Sequence, residues 1–118
     1  MNIAVLRETG AGEARVALMP DSVQKLIAQK ASVSVESGAG MGAARTDDDY
    51  RAAGASVSED RNVLLASADV LVVINRPAKE DFKSLKPSAV VLGFLRPLDE
   101  PAELVPALEH GLTTFAME

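Results

Sequence analysis

A short polar segment near the N-terminus holds the residues whose spacing most clearly indicates chemistry. It runs from Arg7 to Arg15 and contains these two arginines, Glu8, Glu13 and two glycines. The guanidinium fork binds planar oxyanions through paired hydrogen bonds, so Arg7 and Arg15 could clamp a carboxylate or a phosphate. The same arginines could instead pair with the two glutamates. The residues alone leave both interpretations open.

Polar residues also follow the two most apolar stretches of the chain, 70–74 and 89–94. The first stretch is followed by Asn75–Pro77 and the second, shortly afterwards, by Arg96–Pro97. Parallel sheets bind ligands outside the carboxyl ends of their strands, so polar residues at these positions are candidates for lining a cleft. Strand termination by proline, with a solvated arginine beside it, is the alternative. The candidate cleft-lining residues are Arg15, Asn75, Arg76 and Arg96.

Gly38, Gly40 and Ala43 fit the G-x-G-x-x-G/A pattern of dinucleotide binding. That pattern requires the glycine turn to open directly into a helix, because the helix N-terminus meets the pyrophosphate. Here the helix signal begins only at Thr46, and the glycines follow the second predicted strand and not the first. We therefore interpret the cluster as a tight turn and assign no cofactor-binding residue within the chain.

Composition excludes several other kinds of site. The chain has no cysteine and one histidine, His110, which precedes a glycine at a predicted helix end and is expected to act in capping. We assign no catalytic residue and no metal ligand. A net charge of −5 argues against nucleic acid. No segment approaches the roughly 18 consecutive apolar residues that cross a bilayer, and residues 1–6 do not form a signal peptide, so a cytoplasmic location is expected.

Short apolar runs alternate with amphipathic stretches along the whole chain, which is the βαβ rhythm of a parallel sheet. The 118 residues are expected to form one domain with an open, mostly parallel sheet and helices on both faces, Rossmann- or flavodoxin-like. Pro106 is expected to kink or shorten the last helix, because proline lacks a backbone donor. Strands are predicted at 3–6, 32–36, 55–57, 70–74, 89–94 and 113–117, and helices from 20 and at 46–53, 62–67, 79–85 and 101–111.

Five stretches that span the chain carry a family resemblance. In order they are 7–8 with 13–17, 35–40, 52–55, 68–69 with 75–77, and 113–118. Each is short, but together and in this order they resemble the N-terminal domain shared by alanine dehydrogenases and the NAD(H)-binding alpha subunit of proton-translocating NAD(P) transhydrogenases. The resemblance covers essentially all of the chain.

Three positions distinguish the two kinds of family member. The resemblance implies that alanine dehydrogenases place a carboxylate-binding arginine at the position of Arg15, a lysine at that of Asn75, and an acid–base histidine at that of Arg96. Asparagine cannot supply the charge of lysine, and arginine stays protonated and is a poor base. The chain is therefore expected to be of the transhydrogenase type and not to oxidise alanine.

The same resemblance implies cofactors and partners. The complete subunit would bind NAD(H), a partner subunit would bind NADP(H), and hydride would pass directly between the two nicotinamides, coupled to proton movement through a membrane subunit. The nucleotide-binding domain would follow the position of Glu118, so the isolated chain is expected to be inactive and to bind NADH weakly. A homodimer peripheral to the inner membrane, without direct membrane insertion, is also expected.

Two other functions remain open from the sequence. One is an amino-acid oxidoreductase of the alanine or saccharopine dehydrogenase type. The other is a stand-alone, non-catalytic module that uses the loop carrying Arg7 and Arg15 to bind a small anion or a partner. Dehydrogenase activity of the full gene product would favour the first, and a natural stop after Glu118 would favour the second.

Overall fold

Strands and helices alternate along the chain in the predicted order. The computed structural model describes every residue from Met1 to Glu118. The strands are β1 (Asn2–Val5), β2 (Ser32–Glu36), β3 (Ser56–Ser58), β4 (Val70–Asn75), β5 (Val90–Phe94) and β6 (Thr113–Ala116). The helices are α1 (Pro20–Ala28), α2 (Asp47–Ala52), α3 (Arg61–Ser67), α4 (Lys79–Ser84) and α5 (Val105–Glu109), and 3-10 turns cover Met41–Ala43 and Pro101–Leu104.

All six strands belong to one sheet, and every pairing in it is parallel. Their spatial order is β3-β2-β1-β4-β5-β6, which is the order of the Rossmann fold. The chain builds the sheet outward from β1 to β3, then returns to place β4 on the other side of β1. The reversal creates a topological switch point between the carboxyl ends of β1 and β4, where open α/β sheets bind their ligands.

Alternate side chains of β1 enter two separate cores. Ile3 and Val5 pack with α1 and α2 on one face, whereas Ala4 and Leu6 pack with α3, α4 and α5 on the other. β1 carries apolar residues in both directions, because helices cover both of its faces in the parallel sheet. The buried contacts on both faces confirm the predicted arrangement.

Local signals at the helix ends account for most helix boundaries. Thr46 caps α2 by accepting a hydrogen bond from the backbone of Asp49 at 3.2 Å, and the Asp49 carboxylate accepts one from the Thr46 backbone at 2.8 Å. Gly54 follows that helix with a φ of +101°, a conformation that favours glycine. The helix predicted over 101–111 is interrupted, since a 3-10 turn precedes a short α5 whose first turn contains Pro106.

His110 lies at the C-terminus of α5, as predicted, but its side chain contacts the neighbouring helix α4. The ring Nε2 lies 2.6 Å from the carbonyl oxygen of Leu85, the C-cap residue of α4. The histidine therefore forms a hydrogen bond with the C-terminal end of α4 and links α4 to α5. No helix of the structure combines the length and the apolar composition needed to span a membrane.

One half of the sheet lacks a helix on the face that carries α1 and α2. On that face β4, β5 and β6 present apolar side chains that stay partly exposed, including Phe94 at 43% and Phe115 at 54%. We call this surface the open sheet face. Its apolar members are Val72, Ile74, Leu92, Phe94, Phe115 and Met117.

Candidate functional site

Two small cavities flank the switch point. The first, of about 150 Å³, lies between the loop that follows β1 and the loop that follows β4, and Glu8, Asn75 and Arg76 are among its lining residues. The second, of about 160 Å³, lies between the β1 loop and the glycine turn after β2, and Glu13 and Arg15 line it. Arg7 and Glu8 border both cavities.

Glu8 links the loop after β1 to the end of β4 by hydrogen bonds. Its carboxylate oxygens accept hydrogen bonds from the backbone nitrogens of Ile74 at 2.9 Å and Asn75 at 3.0 Å. The Asn75 side chain donates to Glu8 at 3.3 Å and to Glu13 at 2.9 Å. Asn75 is thus held between two carboxylates at the carboxyl edge of the sheet.

Arg15 is engaged by Glu13 within its own loop. Its Nε and Nη2 donate to the two Glu13 oxygens at 2.9 and 2.7 Å, and its backbone nitrogen donates at 3.0 Å. These bonds, with the one from Asn75, lower the pKa of Glu13 from 4.5 to about 2. Of the two interpretations of the polar loop, the structure supports internal pairing for Arg15.

The corresponding pairing of Arg7 with Glu8 does not occur. The Arg7 side chain instead lies beside Gly38, and its backbone nitrogen donates to the Glu36 carboxylate at 2.7 Å. The Glu8 carboxylate instead accepts hydrogen bonds from the backbone nitrogens at the end of β4. The structure therefore leaves the Arg7 guanidinium without an ion pair at the junction of the two cavities.

Arg76 and Arg96 occupy different environments. Arg76 lines the first cavity, where its Nη2 pairs with Glu100 while its buried Nη1 has no hydrogen-bond partner. Arg96 is exposed, has a φ of +54°, and lines neither cavity; its backbone nitrogen donates to the Glu118 carboxylate at 3.1 Å. The structure thus brings Asn75 and Arg76 to the first cavity and Arg15 to the second, and places Arg96 outside both.

A buried ion-pair network near the first cavity was not foreseen from the sequence. Arg61, the first residue of α3, donates to Asp81 at 3.0 and 2.8 Å and to Glu36 at 2.7 Å. It also reaches the backbone oxygen of Arg7 at 3.2 Å, which fixes the β1 loop. Hydrogen bonds to Asp81 raise the pKa of Arg61 above its ordinary value. The partners lie at least twenty positions apart, so no local pattern links them.

The glycines after β2 form a turn in the structure. Gly38 has a φ of +82°, and α2 begins only at Asp47. The Asp47 carboxylate folds back over the turn and accepts hydrogen bonds from the Ser37 hydroxyl at 2.6 Å and the Gly38 nitrogen at 2.9 Å, which lower its pKa. A side chain at Gly40 would lie 2.6 Å from the ring of Tyr50, so close packing requires glycine there. The described chain has no cluster of three or more residues suited to holding a metal ion.

Comparison with known proteins places this domain in a family. The family model described as Alanine dehydrogenase/PNT, N-terminal domain matches residues 4–118. The chain is 35% identical over 123 residues to the first part of the NAD(P) transhydrogenase alpha subunit of Rhodospirillum rubrum, covering 100% of this chain and 32% of that protein. It is 30% identical over 118 residues to the alanine dehydrogenase of Methanococcus maripaludis, with the same coverage of 100% and 32%.

A solved structure shows the same similarity at the level of the fold. The crystal structure of transhydrogenase from Sinorhizobium meliloti matches with a TM-score of 0.94 at 33% identity, covering 100% of this chain and 35% of that chain. The chain spans about a third of the length of the relatives that it matches. The fold, the strand order and the five sequence stretches agree with one another, and the chain belongs to the Alanine dehydrogenase/PNT, N-terminal domain family.

Proposed function

We propose that this chain is the first domain of the NAD(H)-binding subunit of a transhydrogenase, in which hydride passes between NADH and NADP⁺. The proposal rests on the identity and the position of the Asn75 side chain. Its side-chain amide lies at the end of β4, held by Glu8 at 3.3 Å and Glu13 at 2.9 Å, where the family resemblance would require a lysine for alanine oxidation. An amide neither carries charge nor exchanges protons near neutral pH.

The charged groups around Asn75 fit the same chemistry. A pKa of about 2 keeps Glu13 ionised at neutral pH, and Arg15 remains protonated beside it. Such fixed charges can orient a neighbouring group, but they are poor general acids or bases. Direct hydride transfer between two nicotinamides needs orientation and no proton exchange by the protein, whereas oxidation of an amino acid needs a proton acceptor.

In this proposal most of the NAD(H) site lies in sequence outside the 118 residues, and NADP(H) is bound by a partner subunit. A membrane subunit would couple hydride transfer to proton translocation, and the subunit would be a homodimer on the cytoplasmic side of the inner membrane. The relative from Rhodospirillum rubrum supports this assignment, because it is described as the first part of a transhydrogenase alpha subunit. The isolated chain would be inactive.

Two activities of the full gene product test the proposal. The product is combined with the NADP-binding partner subunit, and reduction of a spectrally distinct NAD⁺ analogue by NADPH is followed. Separately, NAD⁺ reduction is followed with alanine and with saccharopine. We expect the first reaction and not the other two. Alanine- or saccharopine-dependent reduction without transhydrogenation would replace the proposal with an amino-acid oxidoreductase.

Calorimetry with the 118-residue chain tests where the nucleotide is held. We expect NADH binding no tighter than millimolar, since the family resemblance places the main nucleotide contacts outside the 118 residues. Submicromolar binding would contradict the idea that the main contacts lie elsewhere. A gene product that ends at Glu118 and shows no redox activity with any partner would support a non-catalytic module instead.

A further inference from the structure

Arginines outnumber carboxylates among the residues that line the first cavity. Arg7, Arg61 and Arg76 line it with a single carboxylate residue, Glu8, and carboxylates outside the lining pair with Arg61 and Arg76. The fold neutralises some of these charges and leaves others available to a ligand.

Of these four side chains, Glu8 and Arg61 already have hydrogen-bond partners within the protein. Both oxygens of Glu8 accept backbone hydrogen bonds, from Ile74 at 2.9 Å and Asn75 at 3.0 Å. Arg61 is held by Asp81 at 2.8 Å and Glu36 at 2.7 Å. These contacts maintain the positions of the loops, and they leave Glu8 and Arg61 with little capacity to bind anything else.

Arg76 is only half satisfied. Its Nη2 pairs with Glu100, but its Nη1 is buried and has no hydrogen-bond partner. A buried donor without an acceptor destabilises the folded state, so native structures rarely keep one unless another group completes it. An acceptor that enters the cavity can supply this partner, because Arg76 is one of the lining residues.

Arg7 also lines this cavity and supplies a second donor group that has no ion pair. Its guanidinium forms no ion pair, and the nearest neighbour along the glycine turn is Gly38, which has no side chain to offer. The hydrogen bond from Arg61 to the Arg7 backbone oxygen at 3.2 Å holds the backbone of this lining residue in place. The Arg7 guanidinium is therefore available to a group that also contacts Arg76.

We propose that the cavity between the β1 and β4 loops binds a small oxyanion, a carboxylate or phosphate group, through Arg76 and Arg7. Its volume of about 150 Å³ suits such a group and is too small for a dinucleotide. The site is distinct from the cavity of Arg15, whose guanidinium is already occupied by Glu13 at 2.7 Å. It lies wholly within this chain and does not depend on the proposed function.

Nuclear magnetic resonance of the 118-residue chain tests the site with two probes, sodium acetate and inorganic phosphate. Each is titrated at neutral pH and constant ionic strength, so that general screening does not change. We expect saturable shifts of the backbone amides of the two loops and of the Arg76 Nε–H group. Saturation with acetate alone would identify a carboxylate site, and saturation with phosphate alone a phosphoryl site. The absence of saturation with both probes would overturn the proposal.

Three substitutions sharpen the test. Arg76→Gln and Arg7→Gln are each expected to weaken binding about tenfold, because each removes a charge-assisted hydrogen bond. Glu100→Gln frees the second amino group of Arg76 and is expected to strengthen binding about threefold. Arg51→Gln is the matched control, since Arg51 pairs only with the exposed Asp48 on α2.

The substitutions also distinguish anion binding from a structural role. Amide spectra outside the cleft report whether each variant keeps its fold. If Arg76→Gln does not fold, Arg7→Gln and Glu100→Gln still alter affinity in opposite directions under the proposal. Unchanged affinity in these two variants, or an equal loss in Arg51→Gln, would show that the shifts do not arise at this cavity.

Discussion

The side-chain nitrogen of Asn75 lies 2.9 Å from the carboxylate of Glu13 and joins the loop after β4 to the loop after β1. The two strands lie side by side in the sheet although 64 residues lie between Val5, the end of β1, and Val70, the start of β4. Glu13 in turn holds Arg15, so one carboxylate organises both a cleft residue and the guanidinium beside it. The consequences of this link for ionisation can be measured.

Removal of the arginine should restore the acidity of Glu13 toward that of a free side chain. In Arg15→Gln we expect the Glu13 pKa to rise from about 2 toward its ordinary value of 4.5, because the hydrogen bonds from the Arg15 side chain are the largest cause of the shift. Asn75→Ala should give a smaller rise, since it removes one neutral donor. Carboxyl carbon shifts measured during an acid titration report both values. An unchanged pKa in Arg15→Gln would show that the pair does not form in solution.

The same link makes stability depend on pH in the acid range. The pKa of Glu13 is depressed in the folded state, so its contribution is fully present above about pH 4.5 and is lost as the pH falls toward 2. Asp47 and Asp69, whose pKa values are also lowered, act in the same direction. Urea unfolding at a series of pH values should show a decrease in this window, and the decrease should be shallower in Glu13→Gln. An equal slope in the two proteins would argue against the assignment.

The network around Arg61 should contribute strongly to stability. Arg61→Met leaves the carboxylate of Asp81, a residue only 7% exposed, without its bidentate partner. Loss of one partner of a buried ion pair typically costs about 3 kcal/mol. Arg51→Met, which breaks the exposed pair with Asp48, should cost less than about 1 kcal/mol. Chemical denaturation measures the unfolding free energy of both variants. Equal losses would contradict a larger contribution from the Arg61 network than from the exposed pair.

Features that depend on local patterns were predictable from the sequence. The apolar stretches predicted the six parallel strands, Thr46 predicted the start of α2, and Pro106 indicated the break in the last helix. The strand order was not predictable, because alternation of strands and helices is common to both Rossmann and flavodoxin arrangements. The order emerged only from the pairing of β1 with β2 and β4.

The candidate site was predictable only in outline. The rule that ligands lie at strand carboxyl ends selected Asn75 and Arg76, which line the first cavity, and it also selected Arg96, which lines neither cavity. A strand end identifies an edge of the sheet and not a position along it, and β5 is one strand removed from the switch point. Charge pairing was the least predictable feature: Arg7 neighbours Glu8 in sequence, yet Glu8 binds the β4 backbone instead.

A close approach between two strands makes Gly93 sensitive to substitution. A Cβ atom at this position would lie 2.6 Å from a methyl carbon of Val73 and 2.7 Å from its carbonyl oxygen, where the β4–β5 register shifts. Gly93→Ala should therefore lower the unfolding free energy by about 2 kcal/mol. Gly10→Ala is the matched control, because its nearest neighbours lie 3.8 Å away. A Gly93→Ala protein as stable as that control would contradict the packing described.

The open sheet face should control the association of the isolated chain. Contiguous apolar surface that no helix covers drives contact between copies, and β6 also presents an unpaired edge. We expect the sedimentation coefficient of the 118-residue chain to rise with concentration. Phe115→Lys places a charge on this surface, where Phe115 is 54% exposed, and should suppress that rise.

The control for charge is Leu98→Lys, which makes the same change at a side chain that is 92% exposed and lies in the loop after β5. It should leave association unchanged, because Leu98 is not part of the open sheet face. Both substitutions fall on exposed positions, so each should alter the unfolding free energy by less than about 1 kcal/mol. Equal suppression by the two lysines would attribute the effect to net charge, and no concentration dependence in the unmodified chain would show that the face does not drive association.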